Sequence, residues 1–301
     1  MSNDDPAGNP VAGSGVAGIS AGGADQVGPI AVLAIDHRDS LRRFLAPDDP
    51  ASVTHDDIVE LKRDLVTGVA DLATGVMLEP EFSIPGLVAD LPDGVGFLAA
   101  LESQGYLDDP SNAITTMLDG WSVEQALASG ASMAKLLLPF HPDRSTAERQ
   151  AEVAVDINAE CVRVGLPLAL EPLFFDLDDP ADRPRVVHET VDRFASVGPA
   201  LLKLPFPVDP SLEAHRDRWA DECARVTERC AESGIPWAML SGGGTFESFF
   251  EQVEVARANG CGGFMVGRAL WGEAARAHGD ERREIIQNVV RPRFERLREI
   301  G

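Results

Sequence analysis

Met133-Ala134-Lys135-Leu136-Leu137-Leu138 and Leu201-Leu202-Lys203-Leu204-Pro205 are two short apolar runs, each carrying one lysine. Runs this brief, apolar at successive positions, read as strands buried on both faces; a helix needs ten or more residues. Six more runs of the same kind stand at 30–36 (IAVLAID), 75–79 (GVMLE), 96–101 (GFLAAL), 167–171 (PLALE), 236–240 (PWAML) and 262–266 (GGFMV). Between them lie stretches with helical periodicity: Asp56 to Ala73, Val123 to Ser129, Thr146 to Val164, Leu212 to Ser233, Phe246 to Ala258 and Glu281 to Ile300. Strands alternating with helices predict a parallel sheet covered by helices. Eight such strands in one domain predict an α/β fold of the (β/α)8 TIM-barrel type, with an open doubly wound sheet as the alternative. Ser145 with Glu148 three residues later predicts a capping box opening the helix from Thr146. Gly165 and Gly260 are placed to end helices through left-handed caps.

The chain has 301 residues, 44% of them hydrophobic, enough for one large core. Residues 1–28 are rich in Gly, Ala, Ser and Asp, hold no basic residue, and read as a disordered tail ahead of a domain spanning 29–301. Gly13-Ser14-Gly15-Val16-Ala17-Gly18 inside that tail matches the dinucleotide-binding GxGxxG pattern, but no strand precedes it and no amphipathic helix follows. The net charge of -23 argues against nucleic acid or an anionic membrane as partner, since both select basic patches. No run of about 18 apolar residues is present for a membrane span. The N-terminus has neither the basic nor the apolar region of a secretion signal, so a cytoplasmic location is expected. Cys161, Cys223, Cys230 and Cys261 follow no zinc or disulfide spacing and read as reduced thiols. The six histidines, at 37, 55, 141, 188, 215 and 278, show no helical ligand spacing, so no metal and no cofactor is expected.

The lysines carry the functional signal. There are three, Lys62, Lys135 and Lys203, against 23 arginines. A chain that uses arginine for its surface and keeps lysine inside strands points to a need for an amine, which can lose its proton and form an imine where arginine cannot. The plainer reading is that each lysine snorkels to water or pairs with an acid. Barrel chemistry gathers at the C-terminal ends of strands. Those ends read Asp36-His37-Arg38, Glu79-Pro80-Glu81, Glu102, Lys135, Glu171, Lys203, Ser241-Gly242-Gly243-Gly244 and Gly267-Arg268. Side chains alternate along a strand, so Lys135 and Lys203 can meet only if both take the interior parity. The glycine run after the seventh strand and Gly267-Arg268 after the eighth suit a phosphate: backbone N–H groups can approach it and a guanidinium can pair with it. The plainer reading there is a turn and a surface ion pair.

At these residues the chain resembles the class I, Schiff-base aldolases, most closely the tagatose-1,6-bisphosphate aldolase family and its sulfofructose-phosphate aldolase relatives. The likeness runs from about Ile30 to Glu273. It rests on Ala34-Ile35-Asp36-His37-Arg38, Leu78-Glu79-Pro80-Glu81-Phe82, Gln104-Gly105-Tyr106, Ala134-Lys135-Leu136-Leu137, Leu170-Glu171, Leu202-Lys203-Leu204-Pro205, Leu240-Ser241-Gly242-Gly243 and Val266-Gly267-Arg268-Ala269-Leu270-Trp271. The resemblance implies that Lys203 forms the imine and Glu171 serves as its acid/base, with Lys135 and Asp36 positioning the substrate hydroxyl and carbonyl. It implies that Ser241, Gly242, Gly243, Gly267 and Arg268 hold a phosphate, with Arg38 and His37 at the distal phosphate or sulfonate. The family has glutamine where His37 stands. Asp-His-Arg is also similar to the class I-like aldolase domains of inositol catabolism, which act on a deoxy-ketogluconate phosphate.

The implied activity is cleavage of a ketose phosphate, tagatose-1,6-bisphosphate or a sulfofructose phosphate, to dihydroxyacetone phosphate and an aldehyde. A metal-dependent aldolase on the same barrel and a non-catalytic sugar-phosphate-binding protein are the rivals; chelator sensitivity and the absence of a reducible adduct would mark them. The expected partner is a small phosphorylated sugar. The C-terminal helical stretch from Glu281 to Ile300 suits a homo-oligomer interface, with a solvated helix of alternating charges as the more ordinary reading.

Overall fold

All eight apolar runs form strands: β1 (Ile30–Ala34), β2 (Gly75–Leu78), β3 (Gly96–Ala100), β4 (Met133–Pro139), β5 (Leu168–Leu173), β6 (Leu201–Leu204), β7 (Trp237–Leu240) and β8 (Gly263–Val266). They pair in parallel in sequence order, and β8 returns to β1, closing the barrel. The computed structural model describes residues 29–300; the tail expected over 1–28 and its GxGxxG match lie outside the described residues.

The helices are α1 (Asp39–Leu45), α2 (His55–Val69), α3 (Val123–Ala128), α4 (Ala147–Val164), α5 (Arg183–Ala195), α6 (Arg216–Glu232), α7 (Phe246–Ala258) and α8 (Arg268–Ala275). A final stretch runs through α9 (Gly279–Ile285), one π-helical turn (Ile286–Val290) and α10 (Arg291–Arg298). Ile286, Val290, Phe294 and Leu297 of that stretch are buried in the main core, so one face of it is spent within the chain itself.

The capping box expected at Ser145 is absent. Thr146 is the N-cap of α4, already in helical conformation and with no side-chain bond. The chain enters α4 through a tight turn, with Arg144 N–H donating to His141 O and Ala147 N–H to Arg144 O, which leaves Ser145 no extended N-cap position to occupy. A capping box forms instead at α2, where Thr54 and Asp57 exchange side-chain and backbone bonds. Gly165 caps α4 in the left-handed region with φ 77°, and Gly260 follows α7 with φ 89°, as expected.

Alternation sorts the side chains into two cores. Ile30, Val32, Ala34, Met77, Leu98, Met133, Ala169, Leu201, Ala238 and Met265 fill the barrel interior. Residues of opposite parity, such as Leu33, Val76, Leu136, Leu170 and Leu202, pack outward against the helices. Barrel closure depends on one glycine. Gly263 has φ 151°, and a Cβ there would lie 1.9 Å from the Ile30 carbonyl oxygen, inside the β8–β1 ladder. Gly263→Ala is therefore expected to lose about 3 kcal/mol or more, since the clash is with backbone and no rotamer relieves it. Thermal denaturation checks this, and a melting temperature within 2 °C of the parent's, by order of magnitude, would contradict it.

Candidate active site

The interior parity decides which polar groups meet. Lys135 continues the row of Met133, Glu171 that of Ala169, Lys203 that of Leu201, and Asp36 that of Ala34, so all four project inward at the C-terminal end of the barrel. All are nearly buried, Lys135 at 2% exposure and Lys203 at 6%. They line a cavity of about 610 Å³ together with His37, Arg43, Tyr106, Phe174, Arg183, Ser241, Gly242, Gly243, Gly267 and Arg268. That size suits a small metabolite.

Lys135 is surrounded by acids. Its Nζ lies 2.9 Å from Asp36 Oδ2, 2.7 Å from Glu102 Oε1 and 3.2 Å from Glu171 Oε2. Burial alone would favour the neutral amine, but Asp36, Glu102 and Glu171 outweigh it and hold Lys135 well above the ordinary lysine range. Lys135 is a fixed ammonium and a poor nucleophile. Lys203 differs: its Nζ meets one carboxylate, Glu171 Oε1 at 2.8 Å, and faces Met77 Sδ at 3.8 Å. Of the two, Lys203 has the freer amine at the cavity wall.

Asp36 is the counterpart. Burial pushes its carboxyl up, yet Lys135 and Lys203 together hold it far below the usual carboxylate range. It stays ionised and accepts hydrogen bonds; as a proton acceptor it is weak. Glu171 bridges the two lysines, and its buried Oε2 makes no hydrogen bond in spite of its proximity to Lys135. That leaves Glu171 an oxygen for a substrate hydroxyl or a departing water.

Glu102 was legible at a strand end but received no role from the sequence. It lies two residues beyond Ala100, in the inward row of Leu98, and besides Lys135 it accepts the Leu137 N–H at 3.1 Å. Continuing the β3 alternation by one step would have found it. Arg38, expected at the distal substrate group, does not line the cavity. At 2% exposure it donates to the Glu102 carbonyl oxygen at 2.6 Å and to Glu81 Oε2 at 3.3 Å, and its guanidinium lies 3.7 Å from the Glu102 carboxylate. At the chain's turn into α1, Gln104 Oε1 accepts the Arg38 and Ser40 N–H groups, and the Arg38 guanidinium reaches to Glu81 beyond β2 and Glu102 beyond β3.

His37 does line the cavity, set edge-on to Trp271 at 5.4 Å between ring centroids. Burial, with help from Arg268 against the pull of Asp36, depresses its pKa to about 3, so the ring is neutral at physiological pH. Its buried Nδ1 has no hydrogen-bond partner. The third lysine, Lys62, is structural. It reaches from α2 to pair with Glu79, whose other oxygen accepts the Glu81 and Phe82 N–H groups at 2.8 and 3.1 Å.

On the same rim, Gly242 and Gly243 adopt φ 54° and 79°, which turn the β7–α7 loop so its backbone faces the cavity. Gly267 lets β8 approach His37: a Cβ there would fall 3.0 Å from the ring. Gly267 N–H donates to Ser241 Oγ at 3.4 Å, joining the two loops. Arg268 opens α8 with no carboxylate within ion-pair distance among the described residues, its guanidinium over the Phe44 ring at 5.8 Å. The five residues expected at a phosphate are thus together. Among the described residues, no cluster of three or more His, Cys, Asp or Glu side chains is arranged to hold a metal ion. All four cysteines are free and buried, remote from this chemistry.

A profile of the DeoC/LacD family aldolases matches residues 30–273. The chain is 25% identical over 288 residues to the tagatose 1,6-diphosphate aldolase of Listeria monocytogenes serotype 4a, covering 89% of this chain and 85% of the relative. The enzyme of the same name from Staphylococcus epidermidis is 26% identical over 288 residues, covering 89% and 88%. Among solved structures, a Schiff-base-forming fructose-1,6-bisphosphate aldolase superposes with a TM-score of 0.60 at 21% identity, over 91% of this chain and 94% of the other. A protein from Corynebacterium glutamicum gives 0.64 at 19% identity, over 90% and 85%. At these identities the structural likeness is one of fold.

Proposed function

The chain belongs to the DeoC/LacD aldolase family, and from that premise we propose that it cleaves a ketose phosphate to dihydroxyacetone phosphate and an aldehyde through a Schiff base on Lys203. It is a class I aldolase, a carbon–carbon lyase. The observation that carries the finer reading is the contrast between the two lysines: three carboxylates fix Lys135 as an ammonium, while Lys203 has one and borders the cavity. The relatives named above are tagatose 1,6-diphosphate aldolases, and a ketose bisphosphate of that kind is the substrate class we assign.

The amine of Lys203 attacks the C2 carbonyl, and Glu171 protonates the resulting hydroxyl so that it leaves as water. The iminium is an electron sink. Loss of the C4 hydroxyl proton to Glu171 sends the C3–C4 bonding pair into the iminium, releasing the aldehyde and leaving an enamine. Protonation of that enamine at C3 and addition of water return free Lys203 and dihydroxyacetone phosphate. Asp36 and the Lys135 ammonium, paired at 2.9 Å, hold substrate hydroxyls together from one wall of the cavity. The phosphate of the dihydroxyacetone half lies against Ser241, Gly242, Gly243, Gly267 and Arg268.

The test is borohydride trapping. With dihydroxyacetone phosphate and reductant, the expected product is one adduct, mapped by peptide mass spectrometry to Lys203. Turnover should persist in chelator, because the lysine supplies the sink that a metal would otherwise provide. An adduct on Lys135, or no adduct from a chain that still cleaves ketose phosphates, would overturn the assignment.

A further inference from the structure

We propose that Arg183 is the specificity-determining residue for a second anionic group at the distal end of the substrate, a phosphate or a sulfonate. The inference rests on the reading of the cavity as an aldolase site and adds to it the residue that selects the substrate's far end.

Arg183 is a cation with no carboxylate at ion-pair distance among the described residues; Asp209, whose charge it feels, lies beyond that distance. The chain carries 49 acids against 26 lysines and arginines, so acidic partners are plentiful. Its neighbour Arg185, on the outer side of α5, pairs with Asp143, Asp182 and Glu189. Three arginines line the cavity, and Arg43 is tied to Asp108 at 2.6 Å. Arg183 and Arg268 have no carboxylate within ion-pair distance among the described residues. Arg183 is also held in place. Its Nε donates to the Phe206 carbonyl oxygen at 2.8 Å, just beyond β6, and its guanidinium packs on the Phe174 ring at 5.3 Å from the centroid. One of its five N–H groups is thereby committed, and the terminal nitrogens remain for an oxyanion. A guanidinium anchored by its Nε and by an aromatic face presents a rigid fork suited to a tetrahedral anion.

Placement supports the same conclusion. Arg268 stands beyond β8 and Arg183 bridges β5 and β6, so the two free cations flank the Lys203 amine from different sides of the rim. The lining holds Lys135, Lys203, Arg43, Arg183 and Arg268 but only Asp36 and Glu171 as acids. A cavity so basic within so acidic a protein is matched to a ligand charged at both ends.

The experiment measures binding, so that it does not depend on turnover. Calorimetry is run on the Lys203→Met chain, with and without Arg183→Gln, using tagatose 1,6-bisphosphate, the 6-sulfo analogue of fructose 1-phosphate, and tagatose 1-phosphate. Glutamine keeps a donor for Phe206 while removing the charge. The expected result is a Kd for the doubly anionic compounds raised roughly 10- to 100-fold by Arg183→Gln, with that of tagatose 1-phosphate changed about twofold or less. Comparing the phosphate and sulfonate arms tells which anion the fork fits. Equal weakening of all three, no change in any, or transfer of the effect to Arg43→Ala would overturn the inference, as would failure of every compound to bind. Trapping on Lys203 in the native chain reports separately on the aldolase reading, so the two can fail independently.

Discussion

Lys203→Met is expected to lower turnover of the ketose phosphate by on the order of 10^5-fold, while the protein stays folded. The fold should survive because the partner it leaves is not orphaned: Glu171 retains the Lys135 ammonium at 3.2 Å. Methionine fills nearly the same volume beside Met77. Lys203→Arg separates charge from covalent chemistry. It keeps a cation beside Glu171 and cannot form an imine, so it too should be inactive and untrappable by borohydride. If the arginine variant kept more than about a hundredth of native activity, the lysine would be acting by charge alone, and the Schiff-base reading would be lost.

That Lys135 and Lys203 stood out in the sequence at all follows from the physics of a closed parallel barrel. Strands buried on both faces are continuous apolar runs, so all eight were legible, and a lysine inside such a run stands out because nothing else polar surrounds it. Distinguishing Lys203 from Lys135 was beyond a sequence read without relatives. The difference lies in Glu102, 33 residues from Lys135 along the chain, and in Asp36, carried on β1. That Arg38 falls outside the cavity lining was hidden for a similar reason. Its partners Glu81 and Glu102 arrive from loops 43 and 64 residues away, and only their convergence turns it from the cavity. Arg183 was missed because α5 opens on Arg-Pro-Arg, a charged start ahead of the apolar face that begins at Val186. An arginine there is unremarkable until its lack of a carboxylate is seen. The capping box at Ser145 failed more simply: a correct local pattern was overridden by the turn that delivers the chain.

One alternating chain of charge emerges from these placements: Glu81, Arg38, Glu102, Lys135, Glu171 and Lys203, each paired with the next. Its centre is Lys135, and removing that ammonium is the most severe change the site offers. Lys135→Met is expected to destabilise the protein by about 3–5 kcal/mol at pH 7, because it leaves the buried Asp36 carboxylate without the ammonium bonded to it. For a chain of this size that is roughly 10 °C in Tm. Activity should fall by on the order of 10^3-fold as Asp36 and Glu171 lose their alignment. The pH dependence identifies the cause. In the native chain Asp36 lies well below the ordinary carboxylate range, so its contribution is present above the unfolded pKa and lost as pH falls through the folded one. Lys135 itself lies well above its ordinary value and does not titrate between pH 5 and 8. In the variant Glu171 keeps Lys203 and Glu102 keeps Arg38, while Asp36 loses the ammonium bonded to it. Burial, the largest influence on Asp36, is then opposed chiefly by Lys203 and is expected to push its folded pKa up, so the penalty is largest at neutral pH and shrinks as acid protonates it. The gap in Tm between native and Lys135→Met chains should therefore narrow steadily from about pH 8 to about pH 5. A gap constant across that range would mean that the loss comes from packing, and that the carboxylates around Lys135 do not depend on its charge.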